Sequence, residues 1–252
     1  MYKNIKKSIK DILLYILNYN EFFFVLGQKF IALAGHLTWP NEVYGQRAED
    51  YFIYKLLAGN ESLVYLDIGS YHPIRYSNTY KLYKNGASGF NVDMSHATLK
   101  IFNNFRKRDT NICAAINYED NIQGVGYYLE GNGLSPLNTL DLKTAKEHSI
   151  KYSKTIKKEY VDILSLKTLF EKYNIEPSTI NFLNIDIEGL DHVVLEQWPF
   201  NISKPKVICV ELHMLNIKDI LESKVHSVLD ANGYTMAYWL SPSIIYVYTE
   251  IK

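Results

Sequence analysis

The sequence predicts an α/β fold of the Rossmann-like class: a mostly parallel, seven-stranded sheet with helices on both faces and an antiparallel strand in a terminal hairpin. Two observations support this prediction. From residue 60 onward, short β-rich runs alternate with stretches of helical periodicity, as in repeated β-α units. The chain then closes with two β-type runs, 234–240 and 243–249, which only Ser241-Pro242 separates, and this spacing suits a hairpin.

The elements inside this fold are predicted from their own start and stop signals. Buried strands are predicted over residues 63–68, 89–93, 111–116, 180–186 and 206–212. Helices are predicted over residues 76–85, 190–197 and 217–229, and after Ser95 and Ser165, whose hydroxyls can cap a first turn. Asn232-Gly233 is the expected stop of the 217–229 helix. Residues 118–160 show a looser pattern with several glycines and are predicted to form an excursion over the domain.

Composition excludes several classes of protein. The chain has 252 residues, of which 47% are hydrophobic, so we expect one packed α/β domain and no extensive disorder. Lys+Arg and Asp+Glu each total 27, and the lack of a basic excess argues against a nucleic-acid binder. Cys113 and Cys209 lie in separate apolar β-type runs, which predicts buried thiols in a reducing compartment and no disulfide or zinc framework.

The first 40 residues are predicted to be a helical segment that precedes a domain over residues 41–252. Apolar residues recur at helical spacing between residues 5 and 17, with lysines between them. Packing against the domain or a partner subunit is the favoured interpretation, and contact with an anionic membrane surface is the alternative. No run reaches the roughly 18 apolar residues of a membrane span, and no signal-peptide cleavage site is evident. We therefore expect a cytoplasmic protein, with homo-oligomerisation left open.

Acidic residues stand at the ends of four predicted strands: Asp67, Asp93, Asp186 and Glu211. In open α/β sheets, ligands bind beyond the carboxyl ends of the strands, near the point where the strand order reverses. An unpaired buried charge is costly, so packing alone does not explain four such strand ends. The pattern therefore predicts a ligand site at this edge of the sheet.

The first two of these strand ends indicate the kind of ligand. Asp67 is followed by Gly69, which permits a tight turn and a close backbone approach. Asp93 comes 26 positions later (93 − 67), about where an acidic residue binds ribose hydroxyls in nucleotide sites. The glycine-rich signatures for a pyrophosphate or a nucleoside triphosphate are absent, since Gly69 is followed by Tyr71-His72-Pro73. A ligand with a ribose and no diphosphate is favoured, and S-adenosylmethionine (SAM) has this chemistry.

Six segments together resemble the FkbM family of SAM-dependent methyltransferases: YGQRAEDYFI (44–53), YLDIGSYHP (65–73), GFNVD (89–93), NICAAI (111–116), NFLNIDIEGLD (181–191) and VICVELH (207–213). The resemblance implies an O-methyltransferase, since members of this family usually methylate hydroxyl groups of sugars or natural products. HPIRYSNTY (72–80) is similar to a subgroup associated with bacterial capsule and surface-polysaccharide gene clusters. A nucleotide-activated or capsule sugar is thus the implied acceptor.

The resemblance also implies which residues bind SAM. It assigns Asp67, Gly69 and Ser70 to the methionine side, Gln46 and Asp50 to the amino-acid portion, Asp93 to the ribose hydroxyls, and Met94 and Ala114 to the adenine. At Tyr71-His72-Pro73 the chain departs from relatives that often carry a second glycine there.

Catalytic residues are predicted at the last two strand ends. Glu211 and His213 are two apart on a strand, so both side chains project to one face. With Asp186 they are predicted to form the catalytic group, either holding Mg²⁺ or Mn²⁺ or acting without metal, with His213 as general base and Glu211 orienting it.

Acceptor contacts are predicted at His72, Arg75 and Glu188. Each has a structural alternative, because His72 and Arg75 lie in a predicted loop and Glu188 can cap the helix that follows it. Two other functions also remain open at this stage. One is methyl transfer to another small-molecule hydroxyl or amine, and the other is a non-catalytic SAM-binding module.

Overall fold

The computed structural model describes residue 26 and residues 43–59, 62–129, 134–214 and 216–249. The chain divides into two units, Met1–Val43 and Tyr44–Lys252, and the second contains nearly all of the described residues. The predicted helical segment 1–40, with its proposed packing or membrane contact, lies outside the described residues except for Leu26. Within the described ranges, no helix combines the length and the apolar character that crossing a bilayer requires.

The described elements alternate between strands and helices for most of the chain. In order they are α1 (Glu49–Leu57), β1 (Val64–Ile68), α2 (Tyr80–Lys84), β2 (Ser88–Asp93), α3 (His96–Phe105), β3 (Thr110–Cys113), β4 (Ala115–Ile116), β5 (Asn121–Leu129), α4 (Leu142–Tyr152), β6 (Ile156–Leu164), α5 (Leu166–Tyr173), a 3-10 turn (Pro177–Thr179), β7 (Phe182–Ile185), α6 (Asp191–Gln197), β8 (Val207–Glu211), α7 (Ile217–Leu221), α8 (Lys224–Ala231), β9 (Tyr234–Leu240) and β10 (Ser243–Tyr248).

Seven of these strands form the main sheet, in the order β3-β2-β1-β7-β8-β10-β9. The first five strands in this order, β3, β2, β1, β7 and β8, are parallel to one another. Strand β10 runs antiparallel to both β8 and β9. This arrangement confirms the predicted fold class. The strand β1 pairs with β2 on one side and with β7 on the other, so the strand order reverses at β1 and a ligand site is expected at its carboxyl end.

Both faces of the main sheet are buried, which explains why the parallel strands read as continuous apolar runs. On one face, Leu66 and Leu183 pack in a cluster that includes residues of α5, α6 and α8. On the other face, Tyr65 and Phe182 pack with residues of α1 and α2. Alternate residues of each strand thus serve opposite layers, and the carboxyl ends of the strands are left to carry the polar side chains.

The region predicted as a loose excursion is an ordered second sheet, which corrects the sequence-based interpretation. Its three strands lie in the order β4-β6-β5, and α4 lies between β5 and β6 in the chain. The glycines that suggested a loop make room for packing instead, because a Cβ at Gly124 would lie 2.1 Å from Ile163 and one at Gly126 would lie 2.5 Å from Met94. The predicted strand 111–116 is likewise divided, since β3 belongs to the main sheet and β4 to the second.

Two predicted helices also differ from the prediction, because one is shorter and the other is divided. The helix predicted over residues 76–85 is confined to α2, because Tyr76 adopts a left-handed φ of 57°. The helix predicted over residues 217–229 is two helices, and the Ser223 side chain accepts a hydrogen bond from the His226 amide to begin the second. The predicted caps at Ser95 and Ser165 are confirmed, since each accepts a hydrogen bond from the amide three residues later.

Candidate active site

Two adjoining clefts lie at the carboxyl ends of β1, β2 and β7. The first, cleft A, has a volume of about 510 Å³, and its walls include Asp93, Met94 and residues 114–116. The second, cleft B, has a volume of about 650 Å³ and is lined mainly by polar side chains. Gly69, Tyr71, Pro136 and Asp186 line both clefts, so the two volumes meet at these residues.

Asp93, at the end of β2, is one of two acidic residues that line cleft A, with Asp186. Its two carboxylate oxygens accept hydrogen bonds from the backbone amides of Tyr71 (3.0 Å) and Ser95 (2.7 Å), which fix its orientation. Burial raises the pKa of Asp93 to about 6, against the lowering effect of these two amides. Each oxygen can accept a further hydrogen bond, so the carboxylate can bind a pair of ribose hydroxyls.

The rest of cleft A is largely apolar. Met94 and Ala114 are both buried, and the Met94 carbonyl accepts a hydrogen bond of 2.7 Å from the Tyr128 hydroxyl. Ile187 and Leu190 also line the cleft, as does the segment of residues 135–140 that precedes α4. An apolar slot beside a carboxylate suits a nucleoside, with the ring between aliphatic side chains and the ribose against Asp93.

Asp67, at the end of β1, lines cleft B, but its carboxylate is also tied into the protein. It accepts hydrogen bonds from Thr79 Oγ1 (2.8 Å) and Asn184 Nδ2 (2.9 Å). The buried guanidinium of Arg106 donates to the same Thr79 oxygen at 2.6 Å. Burial raises the pKa of Asp67, and the two donors act against that rise. Asp67 thus anchors the floor of cleft B.

Gly69 brings the ends of β1 and β7 close together. Its φ is +87°, and a Cβ at this position would lie 1.7 Å from the Asp186 carbonyl oxygen. Its amide donates to the Val92 carbonyl at 2.8 Å, and the neighbouring Ser70, which lines cleft B, bonds the same carbonyl. A residue with a side chain would push Asp186 away from this turn, so only glycine fits.

The segment before β1 contributes two residues to cleft B. Gln46 lines it, whereas Asp50 does not, because its oxygens accept hydrogen bonds from the amides of Tyr44 (2.9 Å) and Gly45 (3.0 Å). Its neighbour Glu49 lines the cleft instead and accepts a hydrogen bond from the Ser243 hydroxyl at 3.0 Å. The sequence-based interpretation missed Glu49, although it stands beside Asp50 in the same segment.

Two of the three predicted catalytic residues, Glu211 and His213, meet at the ends of β7 and β8, with Glu188 between them. One ligating atom each of Glu188, Glu211 and His213 lies within 4.8 Å of the others. Nε2 of His213 is 3.7 Å from Glu188 Oε2 and 3.7 Å from Glu211 Oε2. The Glu188 hydrogen bond raises the pKa of His213, against the effect of burial.

Asp186 lies next to this group and not inside it. Burial, followed by the nearby Glu211 carboxylate, raises the pKa of Asp186 well above its usual range. Its Oδ1 atom is shut off from solvent and has no hydrogen-bond partner within the described part of the chain. The three-residue set expected from the sequence was Asp186, Glu211 and His213, whereas the set that the structure gathers has Glu188 in place of Asp186.

The chain matches the family described as "Methyltransferase FkbM domain" over residues 67–236, well over half of its length. The chain belongs to the FkbM methyltransferase family. No curated protein sequence matches this FkbM methyltransferase. Among solved structures it is similar to the Burkholderia thailandensis 1,6-didemethyltoxoflavin-N1-methyltransferase with bound 1,6-didemethyltoxoflavin and S-adenosylhomocysteine. That likeness has 9% identity and a TM-score of 0.41, over 91% of this chain and 90% of that one.

The second sheet adds to this FkbM methyltransferase a site residue that the sequence-based interpretation missed. His148, on α4, places its Nε2 atom 3.6 Å from Glu188 Oε2, the same oxygen that faces His213. Thr139 Oγ1 donates to the Glu188 carbonyl at 3.3 Å, so the second sheet contacts this turn twice. No sequence signal marked His148, because it lies in the stretch without a clear period.

The three predicted acceptor contacts, His72, Arg75 and Glu188, line neither cleft. Nδ1 of His72 accepts hydrogen bonds from the amides of Ile74 (3.1 Å) and Arg75 (2.9 Å), and burial lowers the pKa of His72 to about 4. The Arg75 guanidinium lies 4.5 Å over the ring of Tyr76, which does line cleft B. In the FkbM methyltransferase His72 and Arg75 thus shape the loop that carries Tyr76.

Proposed function

We propose that this FkbM methyltransferase transfers the methyl group of SAM to a hydroxyl group of a sugar, either nucleotide-activated or part of a capsule or surface polysaccharide. The observation that carries the proposal is the junction of the two clefts, where Asp186 and Gly69 belong to both walls. A nucleoside in cleft A would present its reactive end at this junction, beside an acceptor in cleft B. Close, oriented reactants account for much of the rate enhancement in such transfers.

The residues of cleft A fit the donor. When bound, SAM supplies a methyl group on a positively charged sulfur. Asp93 would accept hydrogen bonds from the ribose hydroxyls, and Met94 and Ala114 would pack against the adenine. On the side of cleft B, Ser70 and Gln46 offer a hydroxyl and an amide for the amino-acid portion. The acidic side chains that line the two clefts favour the positive charge of the sulfonium.

The lining of cleft B favours a hydroxyl-rich acceptor. Its side chains are mainly hydroxyls and amides, which can both donate and accept hydrogen bonds: Gln46, Ser70, Ser77, Asn78, Asn184 and Ser243. Tyr71 and Tyr76 add aromatic rings to the same wall, and such rings pack against the apolar faces of sugars. A polyhydroxylated ligand can satisfy this lining better than an apolar one can.

The hydroxyl proton must leave as the new bond forms. The acceptor oxygen bonds to the methyl carbon while the carbon–sulfur bond breaks and its electron pair stays on sulfur. Two routes for the proton agree with the geometry at the ends of β7 and β8. In the first, His213 is the general base. It lines neither cleft, and Glu211, which lines cleft B and lies 3.7 Å from His213 Nε2, orients the imidazole and connects it to the acceptor. In the second, a divalent cation at the same group lowers the pKa of the hydroxyl.

A second candidate is methyl transfer to an amine. Four acidic side chains line cleft B, namely Glu49, Asp67, Asp186 and Glu211, and the lining includes no lysine, arginine or histidine. A protonated amine would be drawn into such a cleft, although it must lose a proton before it can attack the methyl group. An acceptor panel that pairs sugars with their amino-sugar counterparts separates the two candidates.

Binding is the first test. Calorimetry with SAM and with S-adenosylhomocysteine (SAH), its demethylated product, is expected to show saturable binding of both. Asp93→Asn is expected to weaken SAH binding by about 1–3 kcal/mol, the usual cost of unpairing a charged hydrogen-bond partner. Asp230→Asn, a change of the same kind on the exposed end of α8, is the matched control and is expected to bind normally. Absence of any SAH binding by the unaltered protein would end the proposal.

Transfer is the second test. The protein is incubated with methyl-labelled SAM and a panel of nucleotide-linked neutral sugars, amino sugars and polysaccharide fragments, with and without EDTA. Label in a sugar hydroxyl supports the proposal, and label on nitrogen supports the second candidate. SAH binding without transfer to any member of a broad panel would instead favour a binding module. Loss of transfer in EDTA with rescue by Mn²⁺ or Mg²⁺ selects the route through a cation.

A further inference from the structure

We propose that Glu188, Glu211 and His213 form a divalent-cation site of the Mg²⁺ or Mn²⁺ class, and that His148 positions Glu188 for it. The inference deepens the proposed methyl transfer and depends on it for a chemical purpose, since a cation held by Glu211, which lines cleft B, would act on the acceptor hydroxyl. Its test, however, measures the cation directly and needs no acceptor.

The donor atoms lie slightly farther apart than the ligands of one bound ion, and small side-chain movements would bring them to that spacing. Nε2 of His213 lies 3.7 Å from both Glu188 Oε2 and Glu211 Oε2, and all three ligating atoms fall within 4.8 Å of one another. For bonds of roughly 2.1 Å, neighbouring ligands of an octahedral ion are about 3 Å apart and opposite ligands about 4 Å apart. Two carboxylates and one imidazole form an oxygen-rich set that suits Mg²⁺ or Mn²⁺.

A second observation is independent of this spacing. Oδ1 of Asp186, beside Glu211, is fully buried and has no hydrogen-bond partner among the described residues. A buried carboxyl oxygen without a hydrogen-bond partner is costly, and a cation held beside Glu211 would supply a partner. Within the described part of the chain, the ion pairs of Glu188 and Glu211 are with histidines.

The backbone directs Glu188 toward this group. Glu188 and Gly189 both adopt left-handed conformations, with φ of 53° and 97°. Asp191 holds the turn by accepting hydrogen bonds from the amides of Ile187 (3.5 Å) and Gly189 (3.3 Å). A left-handed φ is unfavourable for a glutamate, and such strain concentrates at functional sites. The turn carries the Glu188 side chain toward the end of β8, where it faces His213.

His148 holds Glu188 from the other side. Its Nε2 lies 3.6 Å from Glu188 Oε2, its side chain is 13% exposed, and its Nδ1 is buried without a hydrogen-bond partner among the described residues. His148 lies outside the three-residue set, so it acts through Glu188 and is a positioning residue. His148 on α4, the helix between β5 and β6, thereby orients Glu188 in the turn that follows β7.

Manganese binding tests the site. The full chain is stripped with EDTA, which is then removed, and Mn²⁺ is titrated while free ion is followed by electron paramagnetic resonance and heat by calorimetry. We expect one Mn²⁺ per chain, with affinity at least tenfold lower in Glu188→Gln and His213→Ala. The His213 side chain is 64% exposed, so the His213→Ala variant is expected to fold. It therefore tests the site even if the Glu188→Gln variant fails to fold. His96→Ala, which removes an exposed imidazole from α3, is the matched control and is expected to bind like the unaltered chain.

Two further measurements separate a ligand from a positioning residue. Pulsed resonance of bound Mn²⁺ is expected to show nitrogen coupling that is lost in His213→Ala and kept in His148→Ala. The His148→Ala variant is expected to bind Mn²⁺ about threefold to tenfold more weakly, because residues that support a metal ligand contribute to its affinity. His148→Gln keeps a donor near the Nε2 position and is expected to recover most of that loss. Loss of the nitrogen coupling in His148→Ala, or no recovery in His148→Gln, would overturn the positioning role.

Two results would overturn the site itself: no saturable Mn²⁺ binding by the unaltered chain, or unchanged affinity in both Glu188→Gln and His213→Ala. SAH binding is measured on every variant. Normal SAH binding without Mn²⁺ binding rejects the cation site alone, whereas Mn²⁺ binding without SAH binding rejects the proposed methyl transfer and leaves the cation site in place.

Discussion

Asp67 and Asp93 end neighbouring strands, yet their surroundings give them different tasks. The Asp67 carboxylate is bound by Thr79 and Asn184 side chains and holds β1 to the elements beside it. Asp93 is bound by two backbone amides and keeps its free lone pairs at the edge of cleft A. The residue type at a strand end therefore indicates a site, and its hydrogen-bond donors decide whether it serves the fold, the ligand or both.

The pH dependence of SAH binding should report on Asp93. Burial raises the pKa of Asp93 to about 6, so its carboxylate gains a proton as the pH falls through that value and accepts ribose hydrogen bonds less well. We expect SAH affinity to be constant above about pH 7 and to fall below about pH 6, as measured by calorimetry. Burial raises the pKa of Asp191 to about 7, so Asp191 titrates in the same pH range. The Asp93→Asn variant is needed to isolate the contribution of Asp93 to the pH dependence. A variant that retains the full pH dependence would contradict this assignment.

Replacement of Gly69 tests the close approach of β1 and β7. In Gly69→Ala the new Cβ would lie 1.7 Å from the Asp186 carbonyl oxygen, so backbone must move. Gly86→Ala is the matched control, because Gly86 also has a positive φ, of +100°, but nothing lies within 4 Å of a Cβ there. We expect Gly86→Ala to lower the free energy of unfolding by about 1–2 kcal/mol, and Gly69→Ala by clearly more, in urea denaturation. Equal losses would show that the contact with Asp186 does not matter.

At the scale of elements, the second sheet is part of the site. It follows β3 along the chain, and the segment between β5 and α4 forms one wall of cleft A. Two buried hydrogen bonds join this region to the loops that follow strands of the main sheet. One runs from Tyr128 to the Met94 carbonyl after β2, and the other from Thr139 to the Glu188 carbonyl after β7. The first of these holds Met94 in the wall of cleft A, and the second holds the turn of the proposed cation site.

A pair of tyrosine variants tests this role of the second sheet. Tyr128→Phe removes the hydroxyl that donates to Met94, and Tyr234→Phe removes a buried hydroxyl that donates to the Pro205 carbonyl at 2.9 Å, away from both clefts. Each is expected to lower the free energy of unfolding by about 1–2 kcal/mol, since each removes one buried hydrogen bond to a backbone carbonyl. Only Tyr128→Phe is expected to weaken SAH binding as well. Equal SAH affinities in the two variants would contradict the role given to this contact.

At the scale of the whole molecule, segments distant in the sequence meet around one reversal of strand order. The residues before β1, the ends of β1 and β2, the second sheet, and the ends of β7 and β8 all contribute to the clefts. A ligand that contacts so many segments binds the folded chain and not the unfolded one. Binding and folding must therefore be linked.

SAH is accordingly expected to raise the melting temperature. At a free concentration of about 100 times Kd, linkage contributes about 2.7 kcal/mol, which for a chain of this size is a rise of roughly 5–10 °C. Differential scanning fluorimetry over a range of SAH concentrations measures the rise. Asp93→Asn is expected to show a smaller rise at each concentration, and Asp230→Asn the full one. A melting temperature that does not respond to SAH would contradict binding at the clefts.

The sequence by itself determined the order of the main elements, the caps at Ser95 and Ser165, and the carboxylates at the strand ends. These features depend on local periodicity and on residues a few positions apart, so the sequence displays them directly. The second sheet escaped prediction because Gly124 and Gly126 signal a loop unless the side chains packed against them are known.

The tertiary structure alone decided which acidic side chains form the group at the ends of β7 and β8. Glu188 joins Glu211 and His213 through a left-handed turn, and His148 reaches it from a helix 40 positions earlier in the chain (188 − 148). Glu49 takes the place beside cleft B expected for Asp50, because backbone amides hold Asp50 in its own turn. Each of these outcomes depends on loop conformation and on contacts between distant segments, which no periodicity of the sequence encodes.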